Sequence, residues 1–329
     1  MAAPRVNPLP GLQNCLSAHQ CNDTLSVLSD RHILLLTASD RTASLNDAVM
    51  LKSAHSARVH ASTRDHLFVT VQHRRITVIT PTNSYSSATP LHFEEHAIAV
   101  DPLVTHHSTP ANTAAIAVGG YDGVYFTAFH LDKNQFDDIT ELPGTGGHKM
   151  VCVAIRDHTI AAANMDGRVG IWRHYHSTYA ATAIVQPPPR LVAGDRVTDI
   201  SLCQHGFIVA WWSGSLFLYD QNAHLVWASY RSHSISSFGV RSGTFLTCVN
   251  RFVVACHGSG ALTWIDLDAQ RYACQNVCGD VKGLCSAGGH LFLWDFEVGI
   301  QRIPVISNAE FEQRSESMST EVKNKPRHQ

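Results

Sequence analysis

The sequence predicts an all-β protein built from repeated four-stranded antiparallel units. The clearest copies of the repeat are 153–173, 200–220 and 245–266. In each copy a turn glycine is followed by apolar residues two and four places later, which is typical of a hairpin turn leading into a half-buried strand. The turn glycines Gly167, Gly214 and Gly260 are 47 and then 46 residues apart. A fixed period of this size, carried by short strands, favours a β-propeller over a sandwich.

The repeat extends over most of the chain. Turns of the same kind fall near 40, 74, 123, 167, 214, 260 and 298. We therefore predict a single seven-bladed propeller over residues 21–306, preceded by an N-terminal segment 1–20 and followed by a disordered tail 307–329. The seventh unit shows three convincing strands, so segment 1–20 is available to supply the fourth strand and close the ring.

Composition narrows the class of partner. The 329 residues include 25 basic and 27 acidic side chains, and only 16% of residues are charged. This balance gives no reason to expect nucleic acid or an anionic membrane as a direct partner, and no stretch is apolar enough to span a membrane. The nine cysteines fall mostly in strand-like runs, which indicates reduced core thiols and a location in the cytosol, the nucleus or both.

The fourth unit resembles a WD repeat. Gly147-His148 stands where that family has its Gly-His pair, and Trp172 with the following arginine stands where it has Trp-Asp. Asp166 lies six residues before Trp172, as the turn aspartate of the family does. The resemblance implies a structural network of His148, Asp166 and Trp172 that holds a hairpin turn. Ala162 replaces the expected hydroxyl, so the network is incomplete.

Resemblance to WD-repeat propellers also implies a function. It implies a non-catalytic scaffold that binds other proteins within a larger assembly and needs no cofactor. A substrate adaptor or RNA-processing subunit differs from such a scaffold only in its partner. The competing class is a propeller hydrolase or esterase with its site in the central channel, for which only Asp101 and Asp199 are obvious inner-strand carboxylates.

Two pairs of adjacent residues are candidates for binding. Trp211 and Trp212 point in opposite directions in a strand, so one of them faces a neighbouring blade or the channel. Core packing is the favoured interpretation of both. His106 and His107 lie in the polar insert of the third unit, where adjacent histidines make a poor chelate and a solvated loop is favoured.

Metal-type side chains are clustered at two places. Neither cluster shows the paired half-sites that are typical of structural zinc, so packing is favoured and no metal is predicted. The clusters are Cys274, Cys278 and Cys285, and Cys15, His19 and Cys21.

Overall fold

The structure of the chain is a computed structural model. It describes residues 7–8, 17–21, 24–28, 32–37, 49–53, 60–62, 68–72, 75–80, 83–88, 97–101, 113–121, 123–144, 149–164, 166–175, 178–188, 191, 194–230, 243–277, 281–287, 289–295 and 299–318. Within these ranges the fold is nearly all β, with a single α-helix.

The described strands form seven antiparallel sheets, numbered here in chain order. Sheet 1 contains β2 (Ser17–Cys21), β3 (Thr24–Leu28), β4 (His32–Thr37) and β5 (Val49–Ser53). Sheet 2 contains β6 (His60–Ser62), β7 (Phe68–Gln72), β8 (Arg75–Ile79) and β9 (Ser84–Ala88). Sheet 3 contains β10 (Ala97–Asp101), β11 (Thr113–Gly119), β12 (Val124–His130), β13 (Gln135–Phe136) and β14 (Thr140–Glu141).

The remaining sheets follow the same scheme. Sheet 4 contains β15 (Met150–Arg156), β16 (Thr159–Asn164), β17 (Val169–Tyr175) and β18 (Thr178–Val185). Sheet 5 contains β19 (Val197–Cys203), β20 (Gly206–Trp211), β21 (Leu216–Asp220) and β22 (Leu225–Ser229). Sheet 6 contains β23 (Thr244–Val249), β24 (Phe252–His257), β25 (Ala261–Asp266), β26 (Arg271–Asn276) and β30 (Glu316–Ser317). Sheet 7 contains β27 (Gly283–Ala287), β28 (His290–Asp295), β29 (Gly299–Ile303) and β1 (Asn7–Pro8).

The first strands of the sheets contact one another in a cycle. Strand β2 contacts β6, β6 contacts β10, β10 contacts β15, β15 contacts β19, β19 contacts β23, β23 contacts β27, and β27 contacts β2. The predicted turn glycines Gly167, Gly214 and Gly260 have φ values of +87°, +86° and +81°. This left-handed conformation is readily adopted by glycine, so the turns on which the repeat was aligned are confirmed.

The core lies between neighbouring sheets. Trp211 and Phe217 of sheet 5 pack with Val169 and Ile171 of sheet 4. Sheets 6 and 7 share a second cluster around Trp264. Burying both faces of a sheet in this way removes the apolar surface that a single four-stranded sheet would expose.

The N-terminal segment contributes to two sheets. Asn7 and Pro8 pair with Arg302 and Gln301 of β29, which gives sheet 7 its fourth strand. Strand β2 begins at Ser17 and belongs to sheet 1. The predicted boundary after residue 20 is therefore wrong, because it divides β2. The polar sequence of this strand did not indicate a strand.

The predicted disordered tail is also corrected. Helix α1 (Asn308–Arg314) begins with a capping box between Ser307 and Glu310, and β30 adds a fifth strand to β26. Phe311 is fully buried in the core shared by sheets 6 and 7. A single buried aromatic residue thus orders a polar segment whose composition predicts disorder. Residues 319–329 lie outside the described residues.

Candidate functional site

The candidate site lies at one end of the sheets, which we call the turn face. This end carries the turns between the second and third strands of sheets 3 to 6. The amide of Met150, at the start of β15, donates to the carbonyl of Gly120 in the turn of sheet 3, at 2.9 Å. The hydroxyl of Thr244, at the start of β23, donates to the carbonyl of Trp211 in the turn of sheet 5, at 2.8 Å. The described turn residues are 120–121, 123, 166–168, 212–215 and 258–260.

Trp211 is part of the core. Its side chain is 2% exposed and packs edge-to-face on Phe217, with ring centroids 6.1 Å apart. The indole also reaches sheet 4, where a Cβ built on Gly167 would lie 2.2 Å from its Cη2 atom. The ring therefore fills the junction between sheets 4 and 5, which is the core packing that the sequence favoured over a binding role for Trp211.

The close contact between Trp211 and Gly167 predicts that a side chain at position 167 destabilises the protein. Gly167→Ala should lower the free energy of unfolding by about 2–3 kcal/mol, because it combines a strained positive φ with a clash against the indole. Gly194 is a matched control, since its φ is +82° and no described atom lies within 4 Å of its added Cβ. Gly194→Ala should cost only about 1 kcal/mol. If urea denaturation showed the same loss of unfolding free energy for Gly167→Ala and Gly194→Ala, the assigned packing of Trp211 would be wrong.

Trp212 is half-buried and is held on three sides. The Arg196 guanidinium carbon lies 3.7 Å from the centroid of its ring, in a cation–π stack. The Trp212 amide donates to the Arg196 carbonyl at 2.9 Å, and the Trp212 carbonyl accepts from His257 Nε2 at 3.2 Å. The Arg196 guanidinium and the Trp212 indole therefore lie stacked on each other at the turn face.

Asp195 fixes the segment that carries Arg196. Its Oδ1 accepts from the amides of Arg196 and Ser213, each at 3.0 Å. Its Oδ2 and Trp211 Nε1 are buried atoms without a hydrogen-bond partner among the described residues. The carboxylate thus ties the start of β19 to the turn of its own sheet.

His257 connects the turns of sheets 5 and 6. The side chain is 2% exposed, and its Nδ1 accepts from the Ser259 amide at 3.2 Å. Because the Trp212 carbonyl can only accept, the proton of the neutral ring is on Nε2. The sequence indicated neither His257 nor Arg196. Arg196 could have been found by aligning the residue that precedes the first strand of each unit.

The proposed turn network of sheet 4 is only partly described. Asp166 is exposed, and Asn164 bonds within the turn, since its Oδ1 accepts from the Arg168 amide at 2.9 Å. The buried Trp172 indole donates to the Pro143 carbonyl at 2.9 Å. His148 lies outside the described residues, so the network of His148, Asp166 and Trp172 stays a prediction.

Other candidate residues fall partly outside the described part of the chain. His106 and His107 are not among the described residues, and neither are Cys15 and Cys278. The thiol of Cys274 is exposed. Among the described residues no group of three metal-type ligands is placed to hold an ion, and no described helix is long and apolar enough to cross a membrane.

Asp199 is the inner-strand carboxylate that the structure describes in full. Its oxygens accept from the Ile200 amide at 2.8 Å and, across the junction, from the Leu246 amide at 2.7 Å. Burial raises its pKa to about 7, against the lowering effect of these two amides. Burial also raises the pKa of Cys152 in sheet 4, and the charge of Asp199 adds to that effect. These contacts make Asp199 a link between sheets 5 and 6.

A group at the opposite end of sheet 3 has the connectivity of a hydrolase triad. The Thr113 hydroxyl lies 3.1 Å from His130 Nδ1, and His130 Nε2 lies 2.9 Å from Asp137 Oδ1. Thr113 is 7% exposed and faces His130 directly in the strand register. A nucleophile must be reachable by its substrate, and Thr113 is buried. We therefore interpret these hydrogen bonds as contacts that hold the ends of β11 and β12 together.

Comparison with known proteins supports the fold. No protein-family model matches the chain, and no curated protein matches it. A crystal structure of BBS1N in complex with ARL6DN, soaked with mercury, matches with a TM-score of 0.65 and 13% identity, over 94% of this chain and 97% of that one. The lead-soaked crystal gives 0.64 and 13%, over 94% and 98%.

A bacterial protein gives a second, independent match. BamB from Moraxella catarrhalis has a TM-score of 0.54 and 12% identity, over 87% of this chain and 83% of that one. The BBS1 domain and BamB are both β-propellers. At these identities the likeness concerns the fold alone, and the chain has the β-propeller architecture.

Proposed function

We propose that this chain is a seven-bladed, WD-repeat-like propeller that serves as a protein-interaction scaffold, a non-catalytic subunit of a larger assembly. The observation that carries the proposal is the turn face, where Arg196 and Trp212 form a rigid stacked pair and Tyr121 is 57% exposed. Exposed aromatic and arginine side chains on a rigid frame are typical of binding surfaces.

The blade number is supported by the sheets themselves. The described strands form seven sheets, and the contacts of their first strands return from β27 to β2. Strand β1 comes from the N-terminus and completes the sheet that contains the last three consecutive strands. We propose that this pairing of the two ends of the chain closes the ring.

A protein partner is supported by comparison. The BBS1 propeller with the same fold was crystallised in complex with ARL6. Six of the described cysteines are in no disulfide, which supports the proposed location in the cytosol, the nucleus or both. A substrate-adaptor or RNA-processing role would use the same surface with a different partner.

The test is the size and composition of the native protein. We expect the tagged endogenous chain to elute as an assembly with other subunits at fixed stoichiometry, and Tyr121→Ser to release those subunits. Tyr175 is a matched control because it is 51% exposed at the opposite end of sheet 4, so Tyr175→Ser should leave the assembly intact. A monomer that hydrolyses model esters would contradict the proposal and favour the hydrolase alternative.

A further inference from the structure

We infer that the turn face binds an acidic polypeptide segment and that Arg196 anchors one of its carboxylates. This inference rests on the proposed function and names the chemistry of the partner. Three observations carry it: the repeated basic position, the distribution of ion pairs and the stacking of Arg196.

Basic residues recur at one position of the repeat. The residue immediately before the first strand is Lys149 in sheet 4, Arg196 in sheet 5 and Lys282 in sheet 7. In sheet 6 it is Gly243. Because the first strands contact one another in a cycle, these cations lie around one rim of the molecule. The exposed Arg168 adds a fourth cation on the turn of sheet 4.

Ion pairs are concentrated at the other end of the sheets. Among the described residues, Lys149, Arg168 and Arg196 take part in none. The described acidic residues beside them are the exposed Asp166 and the half-buried Asp195, whose Oδ1 accepts from two backbone amides. Six ion pairs of the described residues lie at the opposite end: His130–Asp137, Arg156–Asp157, His205–Asp268, His224–Asp220, Arg251–Asp266 and Arg271–Glu312.

This asymmetry separates the two ends electrostatically. At the opposite end the chain supplies carboxylates to its own cations, whereas Lys149, Arg168 and Arg196 of the turn face have no ion-pair partner among the described residues. Complementary charge steers association and sets specificity. An anionic partner therefore fits the turn face and not the opposite end.

Arg196 is arranged to accept a carboxylate. Its stacking on Trp212 at 3.7 Å orients the guanidinium plane before any partner arrives. A planar, oriented guanidinium binds a carboxylate with two parallel hydrogen bonds and loses little entropy in doing so. Lys149 lies 6.0 Å from the ring centroid of Tyr121, so the turn face carries a second cation beside an exposed aromatic ring, at the start of the neighbouring sheet 4.

A polypeptide fits better than a nucleic acid. Single-stranded nucleic acids bind through aromatic rings that are free to stack on bases, but the Trp212 ring is covered by Arg196. The four cations are divided among sheets 4, 5 and 7 and do not form a continuous stripe, and the whole chain has a formal charge of −2. Carboxylates on an extended peptide can reach separate cations one at a time.

The test measures binding of defined probes by fluorescence anisotropy. The probes are a labelled peptide of alternating glutamate and glycine, the same peptide with glutamine for glutamate, and a short oligothymidylate. We expect the full-length protein to bind the glutamate peptide, with an affinity that falls as salt is added. Arg196→Gln should weaken this binding roughly ten- to a hundredfold, because a hydrogen-bonded charge pair is lost.

Arg156→Gln is the matched control, because it removes the same charge from the opposite end. It should change the affinity less than about twofold. The unfolding midpoint of each variant shows whether the variant is folded. The inference is overturned if the glutamate peptide does not bind, if the glutamine peptide binds as tightly, if Arg156→Gln has the larger effect, or if the oligothymidylate binds more tightly. If the peptide fails while Tyr121→Ser still releases the native subunits, the partner chemistry is wrong and the scaffold function stands.

Discussion

Phe311→Ala should lower the free energy of unfolding by about 3–5 kcal/mol, the usual cost of removing a buried phenylalanine. The side chain is 0% exposed and lies among the core residues shared by sheets 6 and 7. Its ring centroid is 4.9 Å from that of Phe252. Denaturation by urea, followed by far-UV circular dichroism, measures the loss.

The helix that carries Phe311 depends on this contact. A seven-residue helix has too few hydrogen bonds to persist alone in water. The capping box of Ser307 satisfies amides at its start but adds no apolar burial. We therefore expect Phe311→Ala to release α1 and β30 together, which hydrogen exchange would detect as a loss of protection over residues 307–318.

Glu312→Gln provides the control within the same helix. Glu312 contacts Arg271 through its carboxylate, and its side chain is 54% exposed. A solvent-exposed ion pair of this kind contributes less than about 1 kcal/mol. If Glu312→Gln destabilised the protein as much as Phe311→Ala, charge and not burial would hold the C-terminal segment.

The same segment shows where sequence patterns predict the fold and where they do not. Turn glycines and alternating apolar residues recur, so they predicted the turns at Gly167, Gly214 and Gly260, which all have a positive φ. The order of residues 307–318 depends on one aromatic side chain in a polar sequence, and a composition average does not detect one side chain. Strand β2 was missed for a similar reason, since Ser17–Cys21 is polar.

The candidate site was predicted only in part, because side-chain pairing across a turn has no fixed sequence spacing. Trp211 is the last residue of β20 and is buried in the core, whereas Trp212 lies in the turn that follows and not on the strand expected for the pair. The partner of Trp212 is Arg196, from a different segment of the chain. In the fourth unit the Asn164 side chain accepts from the turn amide of Arg168. The repeat pattern did not indicate this contact, because several short polar side chains can close such a turn.

Asp199→Asn should change the pH dependence of stability by up to about 3 kcal/mol between about pH 5 and about pH 8. The folded carboxyl has a pKa of about 7, raised by burial from the ordinary value of 3.8. Between these two values the folded chain holds a proton that the unfolded chain has released. The contribution of Asp199 is therefore fully present below about pH 4 and is lost as the pH rises through about 7.

The substitution has two effects: it removes the ionisable group, and it removes one hydrogen-bond acceptor. The two effects dominate at different pH values. The asparagine oxygen can accept from either Ile200 or Leu246 but not from both, so the variant should be less stable than the parent near pH 5. Near pH 8 the parent bears a buried charge that the variant lacks, and the difference should shrink or reverse.

Glu310→Gln is the control for this pH dependence. Hydrogen bonds from the Ser307 amide, chiefly, hold the pKa of Glu310 below its ordinary value, and the contacts of its carboxylate are with Ser307 and not with a histidine. Its substitution should therefore cost nearly the same at about pH 5 and about pH 8. If the Asp199→Asn difference were as constant with pH as that of Glu310→Gln, Asp199 would be an ordinary carboxylate and the junction between sheets 5 and 6 would not respond to pH through it.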